Sequence, residues 1–448
     1  MHKGHFSKAG FILASAGSAV GLGNIWKFPY IAGDNGGGAF VLGYLITVAL
    51  VGLPLLAAEI ALGNMTQREP VSAFEHVAPN RKKFWRLGGF AFLGSFLILT
   101  FYSVVIGWLF YYIYFTLFHL PVSVEEAQAA FMGLVGHNAP TQIFFHALAM
   151  LIVTLIVSRG VQKGIERVNT FMMPALMLII LVMFFYAVSF DSFGKAAAFM
   201  FEPNFSALTP YAVLVAVGHA FFTLSIGMAV IMTYASFSGK QTRVLASSVW
   251  ITIIDTLIAL LAGLMMFTFM YHFGMDPQKG PGLVFISMPA VFYQMGSIGN
   301  LFAVLFFIAL AFAGITSAIS MLEPAVAYLE QRKKVSRTKA VWGSAAVIYG
   351  IGLLTLLSML EGFGFLSIGG KSLFNAVDFL TASIMLPIGG IVLSVFLGWV
   401  VDRHNLERFL EGHGFTKTIF AVWLFSLRFI IPAAIISVMV YTLFFGSL

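Results

Sequence analysis

Asp255 stands in the middle of an apolar run, residues 242–272. An acid at the centre of a membrane helix costs about 2.5–3.5 kcal/mol on insertion scales, so it is a functional-site candidate by default. Oxygen-bearing side chains recur in three other apolar runs. Ser18 and Asn24 fall within GSAVGLGN (Gly17 to Asn24), Thr223 and Ser225 within FFTLSIG (Phe221 to Gly227), and Thr316, Ser317 and Ser320 near Ala313-Gly314. Carboxylate, amide and hydroxyl oxygens, with carbonyls freed wherever a helix unwinds, make the ligand set of a hard cation. The competing readings are a hydrogen-bonded structural acid at 255 and hydroxyls bonding back to their own helix carbonyls, and on their own Thr316, Ser317 and Ser320 are read as the latter.

Two of these stretches are poor helix formers. Gly17, Gly21 and Gly23 crowd the first, and Gly218 and Gly227 flank the second, and glycine is unfavourable inside a helix. One such stretch in an apolar run usually marks close helix packing. Two at corresponding places, each rich in hydroxyl or amide groups, point instead to unwound backbone lining a transport site.

The elements that must position these residues follow from composition. The 448 residues are 60% hydrophobic and 10% charged, with a mean hydropathy of +0.94. A soluble domain carries about 25% charged residues, so a water-soluble globule is excluded. Apolar runs and their polar or Gly/Pro-rich punctuation predict eleven spans: roughly 7–34, 38–65, 85–118, 140–158, 165–190, 208–236, 242–272, 299–330, 339–360, 372–401 and 416–446. The basic N-terminus with Ala14-Ser15-Ala16 superficially suggests a signal peptide, but the apolar stretch before it is too short, so it is read as the start of span 1. The absence of cysteine excludes thiol catalysis, disulfides and cysteine metal sites.

Twenty Lys and Arg fall at the N-terminus or in connections on its side, against Lys27, Lys195, Lys279 and Lys371 opposite, with Arg428 inside the last span. The positive-inside rule then predicts a cytoplasmic N-terminus and, after eleven spans, a C-terminus outside the cell. The net charge of +7 is therefore topological, and no nucleic-acid partner is implied. The breaks lie in spans 1 and 6, and an odd number of spans per half forces opposite insertion. The expected fold is an all-α polytopic membrane protein: eleven transmembrane helices, a 5+5 inverted repeat with unwound helices 1 and 6, plus helix 11. In residues, 1–190 form the first repeat, 191–401 the second, and 402–448 a cytoplasmic loop with span 11.

The stretch GSAVGLGNIWKFP (Gly17 to Pro29), followed by Asn35-Gly36-Gly37-Gly38-Ala39-Phe40, resembles the signature of the neurotransmitter:sodium symporter family, as do FFTLS in span 6 and Ala313-Gly314-Ile315-Thr316-Ser317 in span 8. The likeness covers essentially the whole chain. It implies two Na⁺ sites: a first from the Ala19 carbonyl, Asn24, Thr223, Asp255 and the substrate carboxylate, and a second from the Gly17, Val20 and Ala313 carbonyls with the Thr316 and Ser317 hydroxyls. A fixed carboxylate at Asp255, with Ala259 one turn on, suggests chloride independence. No organic cofactor is expected.

The same resemblance implies a pocket for a zwitterion. Helix ends at the breaks offer amides to an anion and carbonyls to a cation. Gly21 leaves room for a carboxylate, where amine carriers of the family place an Asp. Leu22 and Gly23 amides with the Tyr102 hydroxyl would hold that carboxylate. Ala19, Phe222 and Thr223 carbonyls with the Ser225 side chain would hold the amine. Ile98, Phe222, Met228, Ser317 and Met321 would receive an apolar side chain. Tyr102 and Phe222 would form a lid, and Lys27 with Asp378 an outer ion-pair gate. Glu59 is expected to hydrogen-bond the unwound backbone, and Glu323 to do similar work nearer the cytoplasm. Gly164 and Pro174 reproduce a Gly-x9-Pro spacing that would let span 5 unwind at its inner end.

The inner gate departs from the family pattern: His2, His5 and Phe6 stand where Arg-x-x-Trp is expected, with Gln331 in place of an acid and Phe237 in place of a Tyr. Lys3 with Glu330 is a possible substitute. The resulting expectation is a sodium-coupled symporter for hydrophobic L-amino acids in the cell membrane, working by alternating access, with a monomer sufficient. A proton-coupled carrier or a substrate-gated channel on the same fold are the alternatives. An intramembrane hydrolase lacks any HExxH or GxSxG signature, and no GxxxxGK[ST] loop is present for ATP.

Overall fold

The computed structural model describes residues 5–275 and 282–445; His2, Lys3 and Lys279 lie outside them. Nine helices among these residues are long and apolar enough to cross a membrane: Gly38–Thr66, Lys82–Phe118, Ala139–Ser158, Val161–Val188, Val244–His272, Gly296–Gln331, Arg337–Leu357, Leu373–Val400 and Lys417–Thr442. They are spans 2 to 5 and 7 to 11. Span 1 is the pair Lys8–Ala19 and Gly23–Asp34, bent by 49°. Span 6 is Pro210–Thr223 and Val230–Ser236, separated by Leu224–Ala229.

Both interruptions follow from local chemistry. In span 1 the helix stops at Val20, which turns extended (φ −67°, ψ 101°) just before Gly21. In span 6 the chain takes positive φ at Ser225, Gly227 and Ala229, a run incompatible with an α-helix. Gly227 is required twice over: its φ is 83°, and a side chain there would overlap the Leu386 carbonyl of span 10. The breaks are five spans apart, as an inverted repeat demands.

Smaller elements close the ends of the bundle. On the face opposite the N-terminus lie Val124–His137, Phe193–Phe201 and a two-stranded hairpin pairing Ser367–Ile368 with Lys371–Ser372. The segment between spans 7 and 8 folds into a helical element, Leu283–Gln294, that is buried from Leu283 to Phe292. Its Phe285 packs against Trp26, Trp108, Tyr112, Phe131 and Phe307 at centroid distances of 4.9–6.3 Å.

The N-terminal face is tied shut by polar contacts. Arg337 at the start of span 9 donates Nη2 to Glu323 Oε2 at 2.6 Å and Nη1 to Glu330 Oε2 at 3.2 Å, and also bonds the Val157 carbonyl that ends span 4. Glu323 is fully buried. It therefore does not serve unwound backbone as expected, but forms a charge-assisted pair that offsets its own desolvation. Glu330 is engaged by Arg337, and Gln331 accepts from the Glu69 amide at 3.1 Å; the suggested pairing of Glu330 with Lys3 lies outside the described residues.

That segment docks differently. The Phe6 amide donates to the Phe237 carbonyl at 2.9 Å, and its ring lies 5.4 Å from that of Tyr234. Ser7 caps span 1 and donates its amide to Glu166 of span 5 at 3.1 Å. Span 5 begins with a π turn, Val161–Glu166, and continues helical through Pro174. Its inner end, containing Gly164, is thus a widened turn rather than an unwound segment.

Candidate functional site

The breaks in spans 1 and 6 meet spans 3, 7 and 8 in the protein interior. Asp255 is fully buried on span 7. Asn24 Nδ2 donates to its Oδ1 at 2.8 Å, and Thr223 Oγ1 lies 3.1 Å from each carboxylate oxygen. Asn24 also spans its own break, its Oδ1 accepting from the Gly21 amide at 3.0 Å. The amide therefore presents nitrogen, not oxygen, to the carboxylate; a cation in the first site must share the second lone pair of Oδ1. Two hydroxyl and amide donors leave much of a carboxylate's charge uncompensated in a dry interior, which suits a monovalent cation there.

Between spans 1 and 8 a second group of oxygens collects. Ser317 Oγ lies 3.4, 3.2 and 3.5 Å from the Gly17, Ser18 and Val20 carbonyls. Thr316 Oγ1 bonds the Phe312 and Ala313 carbonyls of its own helix at 2.9 and 3.0 Å. Both hydroxyls are buried. Each spends its one proton on a carbonyl and keeps lone pairs free, a donor set that fits an oxygen-seeking cation.

Around Gly21 the expected carboxylate pocket has narrow walls. A side chain at Gly21 would sit 2.9 Å from Ser317 Oγ and 3.1 Å from the Tyr102 hydroxyl. The Leu22 amide reaches Tyr102 OH at 3.4 Å. Ala19 borders the same space, its carbonyl 3.8 Å from that position. Gly23 lies under the Phe222 ring, 3.1 Å from where its Cβ would be. Ile98, Met228 and Met321 are buried; Met228 faces Gly94 of span 3. The Ser225 hydroxyl donates to the Ser18 carbonyl at 2.8 Å, which ties the two breaks together and leaves its lone pairs to accept from an amine.

Glu59 of span 2 accepts from the Gly227 amide at 2.8 Å and the Met232 amide at 3.1 Å. One carboxylate thereby satisfies donors that the interrupted helix leaves open.

Above the breaks, on the face opposite the N-terminus, lies a cavity of about 430 Å³ lined by Lys27, Asp34, His219, Phe222 and residues of spans 10 and 11. The Lys27–Asp378 ion pair is not formed. The Lys27 ammonium instead stands 4.7 Å from the centroid of the Phe222 ring, a cation–π contact available to a compact point charge on a flexible stem. Phe222 thus separates the cavity from Gly23.

Sequence reasoning missed Arg337, Phe285 and the docking of Ser7 on Glu166. Arg337 is one of the basic residues read as setting topology, two residues ahead of the span predicted at 339–360, and nothing in its spacing sets it apart.

Comparison with known proteins follows the same outline. The sequence profile of the sodium:neurotransmitter symporter family matches residues 3–131 and 135–446. The chain is 38% identical over 441 residues to an uncharacterized sodium-dependent transporter, YhdH, of Bacillus subtilis (strain 168), covering 96% of each. It is 29% identical to an uncharacterized sodium-dependent transporter of Haemophilus influenzae, covering 98% of this chain and 97% of that one. Its fold superposes on the crystal structure of MhsT in complex with L-phenylalanine with a TM-score of 0.88, at 37% identity, over 98% of this chain and 99% of MhsT. A profile match running almost end to end, with relatives and a solved fold of the same length, places the chain in the sodium:neurotransmitter symporter family, a family of transporters rather than enzymes.

Proposed function

We propose that this protein imports hydrophobic L-amino acids, aliphatic to aromatic, coupled to two Na⁺ and without a chloride requirement. The observation that carries the reading is the fully buried Asp255, held by Asn24 and Thr223 where the two broken helices meet. A carboxylate so placed supplies a fixed negative charge beside the first ion, the role that an anion would otherwise fill. The second ion sits among the Gly17, Val20 and Ala313 carbonyls with Thr316 and Ser317.

Gly21, Leu22, Gly23 and Tyr102 take the substrate carboxylate. The Ala19, Phe222 and Thr223 carbonyls take its amine, and Ile98, Met228 and Met321 its side chain. The apolar lining and the MhsT complex with L-phenylalanine support a hydrophobic substrate, and the two methionines give a pocket that adapts to several shapes.

Transport proceeds by alternating access between a face closed by Arg337–Glu323 and a face carrying the cavity above Phe222. The first lies on the cytoplasmic side of the cell membrane, with the N-terminus; the C-terminus is outside. Residues 1–190 and 191–401 are the two repeats, and a monomer suffices. Each Na⁺ moving down a tenfold gradient and 100 mV releases about 3.7 kcal/mol. Two ions suffice for roughly 10⁵-fold accumulation of a neutral zwitterion.

The test is calorimetric binding of the standard amino acids to purified protein in NaCl, KCl and sodium gluconate. Na⁺-dependent binding of Leu, Ile, Phe, Tyr or Trp, unchanged in gluconate, is expected. Binding indifferent to Na⁺ removes the coupling, and loss in gluconate removes the chloride independence.

A further inference from the structure

Asn169 lies on span 5, fully buried against span 1. Its Nδ2 donates to the Ile165 carbonyl at 2.9 Å, one turn back. A carbonyl can receive only the nitrogen end of the amide, so that bond fixes the side chain with its oxygen turned elsewhere. Oδ1 meets no donor among the described residues. It rests against Gly17: a methyl group there would overlap Asn169 Oδ1 and come 3.2 Å from Met173.

Buried amide oxygens rarely go unpaired. In an apolar interior what satisfies such an acceptor is an ordered water. Gly17 is also the residue whose carbonyl Ser317 approaches from span 8. Span 8 and span 5 therefore reach the same residue of span 1, one with cation-seeking oxygens and the other with an oxygen that lacks a proton donor.

We propose that Asn169 is a positioning residue for the second sodium ion: its Oδ1 accepts a hydrogen bond from a water whose oxygen completes that ion's coordination on the span 5 flank. The inference rests on the assignment of the second site in the preceding subsection. A single water meets both demands, giving a lone pair to the cation and a proton to the amide. The direction of the chain supports this placement. Glu166, one turn nearer the N-terminal face, already accepts from the Ser7 amide, so on the span 5 side the buried oxygen at the level of Gly17 is that of Asn169.

The experiment is Na⁺-titrated binding of L-phenylalanine to purified full-length protein, with melting temperatures recorded with and without Na⁺. The variants are Asn169→Leu, Asn169→Asp and, as a control on the site itself, Thr316→Ala. Loss of an outer-shell partner of a metal typically weakens it at least tenfold. Asn169→Leu is thus expected to raise the half-saturating Na⁺ concentration about tenfold and to shrink the Na⁺-induced rise in melting temperature. Asn169→Asp keeps the acceptor and does not raise the Na⁺ requirement. Without Na⁺, Asn169→Leu melts no lower than the parent, because it removes an unpaired polar atom.

A lower Na⁺-free melting temperature in Asn169→Leu, with an unchanged Na⁺ requirement, overturns the proposal and makes Asn169 a packing residue. Wild-type Na⁺ dependence in Asn169→Leu, alongside a weakened Thr316→Ala, also overturns it while leaving the second site intact. Wild-type dependence in Thr316→Ala overturns the site assignment instead.

Discussion

Asn24 grips Asp255 at two points, donating to its side-chain Oδ1 at 2.8 Å and to its backbone carbonyl at 3.0 Å. The first half of the unwound segment is thereby fastened to span 7 independently of any ion. The carboxylate's charge is then the part left for the first sodium ion of the proposed function.

Asp255→Asn removes that charge and keeps the shape. We expect uptake in sodium gluconate to fall by about tenfold or more, the effect of one lost charge interaction of a few kcal/mol, with part of it restored by NaCl. Radiolabelled uptake in proteoliposomes with each anion checks this; full activity of the variant in gluconate would mean the carboxylate is structural.

Gly21→Ala tests the space kept for the substrate carboxylate. The added methyl would stand 2.9 Å from Ser317 Oγ and 3.1 Å from Tyr102 OH. Overpacking of this degree costs about 1–3 kcal/mol, so substrate affinity should drop about tenfold or more. Equilibrium binding at saturating Na⁺ measures it, and unchanged affinity would place the carboxylate elsewhere.

Much of this is legible in the sequence. The broken helices show as glycine and hydroxyl clusters in otherwise apolar runs, and Asp255 as an acid with no charged neighbours in sequence. Other features left no such mark. Phe285 is one of 48 phenylalanines, and nothing in its spacing distinguishes a buried plug from a lipid-facing ring. The Gly369-Gly370 turn is a recognised hairpin signal, but two-residue strands are too short to alternate. Lys27 and Asp378 have opposite charges, yet the ammonium settles over an aromatic face. Sequence spacing gives no means of ranking those two partners.

Arg337→Met leaves Glu323 buried without its partner. Breaking a buried pair from one side costs about 3–5 kcal/mol, whereas replacing both charges is often nearly neutral. The chain has no native cysteine, so Ser236→Cys, buried on span 6, gives a clean reporter. Its maleimide labelling from the N-terminal face should quicken at least tenfold in Arg337→Met, and largely return to the parent rate in the Glu323→Gln, Arg337→Met double variant. Equal rates in all three would show that the pair does not hold this face closed.

Glu59→Gln replaces one of two acceptor oxygens with an NH₂ facing a backbone N–H. An unsatisfied buried donor costs about 1–3 kcal/mol, and here it would fall on Gly227 or Met232. Thermal unfolding in detergent should show a lower midpoint, with the loss larger in Na⁺-free buffer, where no ion helps order the broken helices. A midpoint equal to the parent's would leave the unwound segment supported by other contacts.

The cavity above Phe222, about 430 Å³, has room for on the order of ten waters. Its walls mix Lys27 and Asp34 with apolar residues such as Val215, Leu386 and Ile435. Any closure over the substrate must empty part of that volume and bury part of that surface. The gating step then carries a hydration signature of its own: a negative heat-capacity change on binding, and a shift toward the closed form under excluded osmolytes such as sucrose.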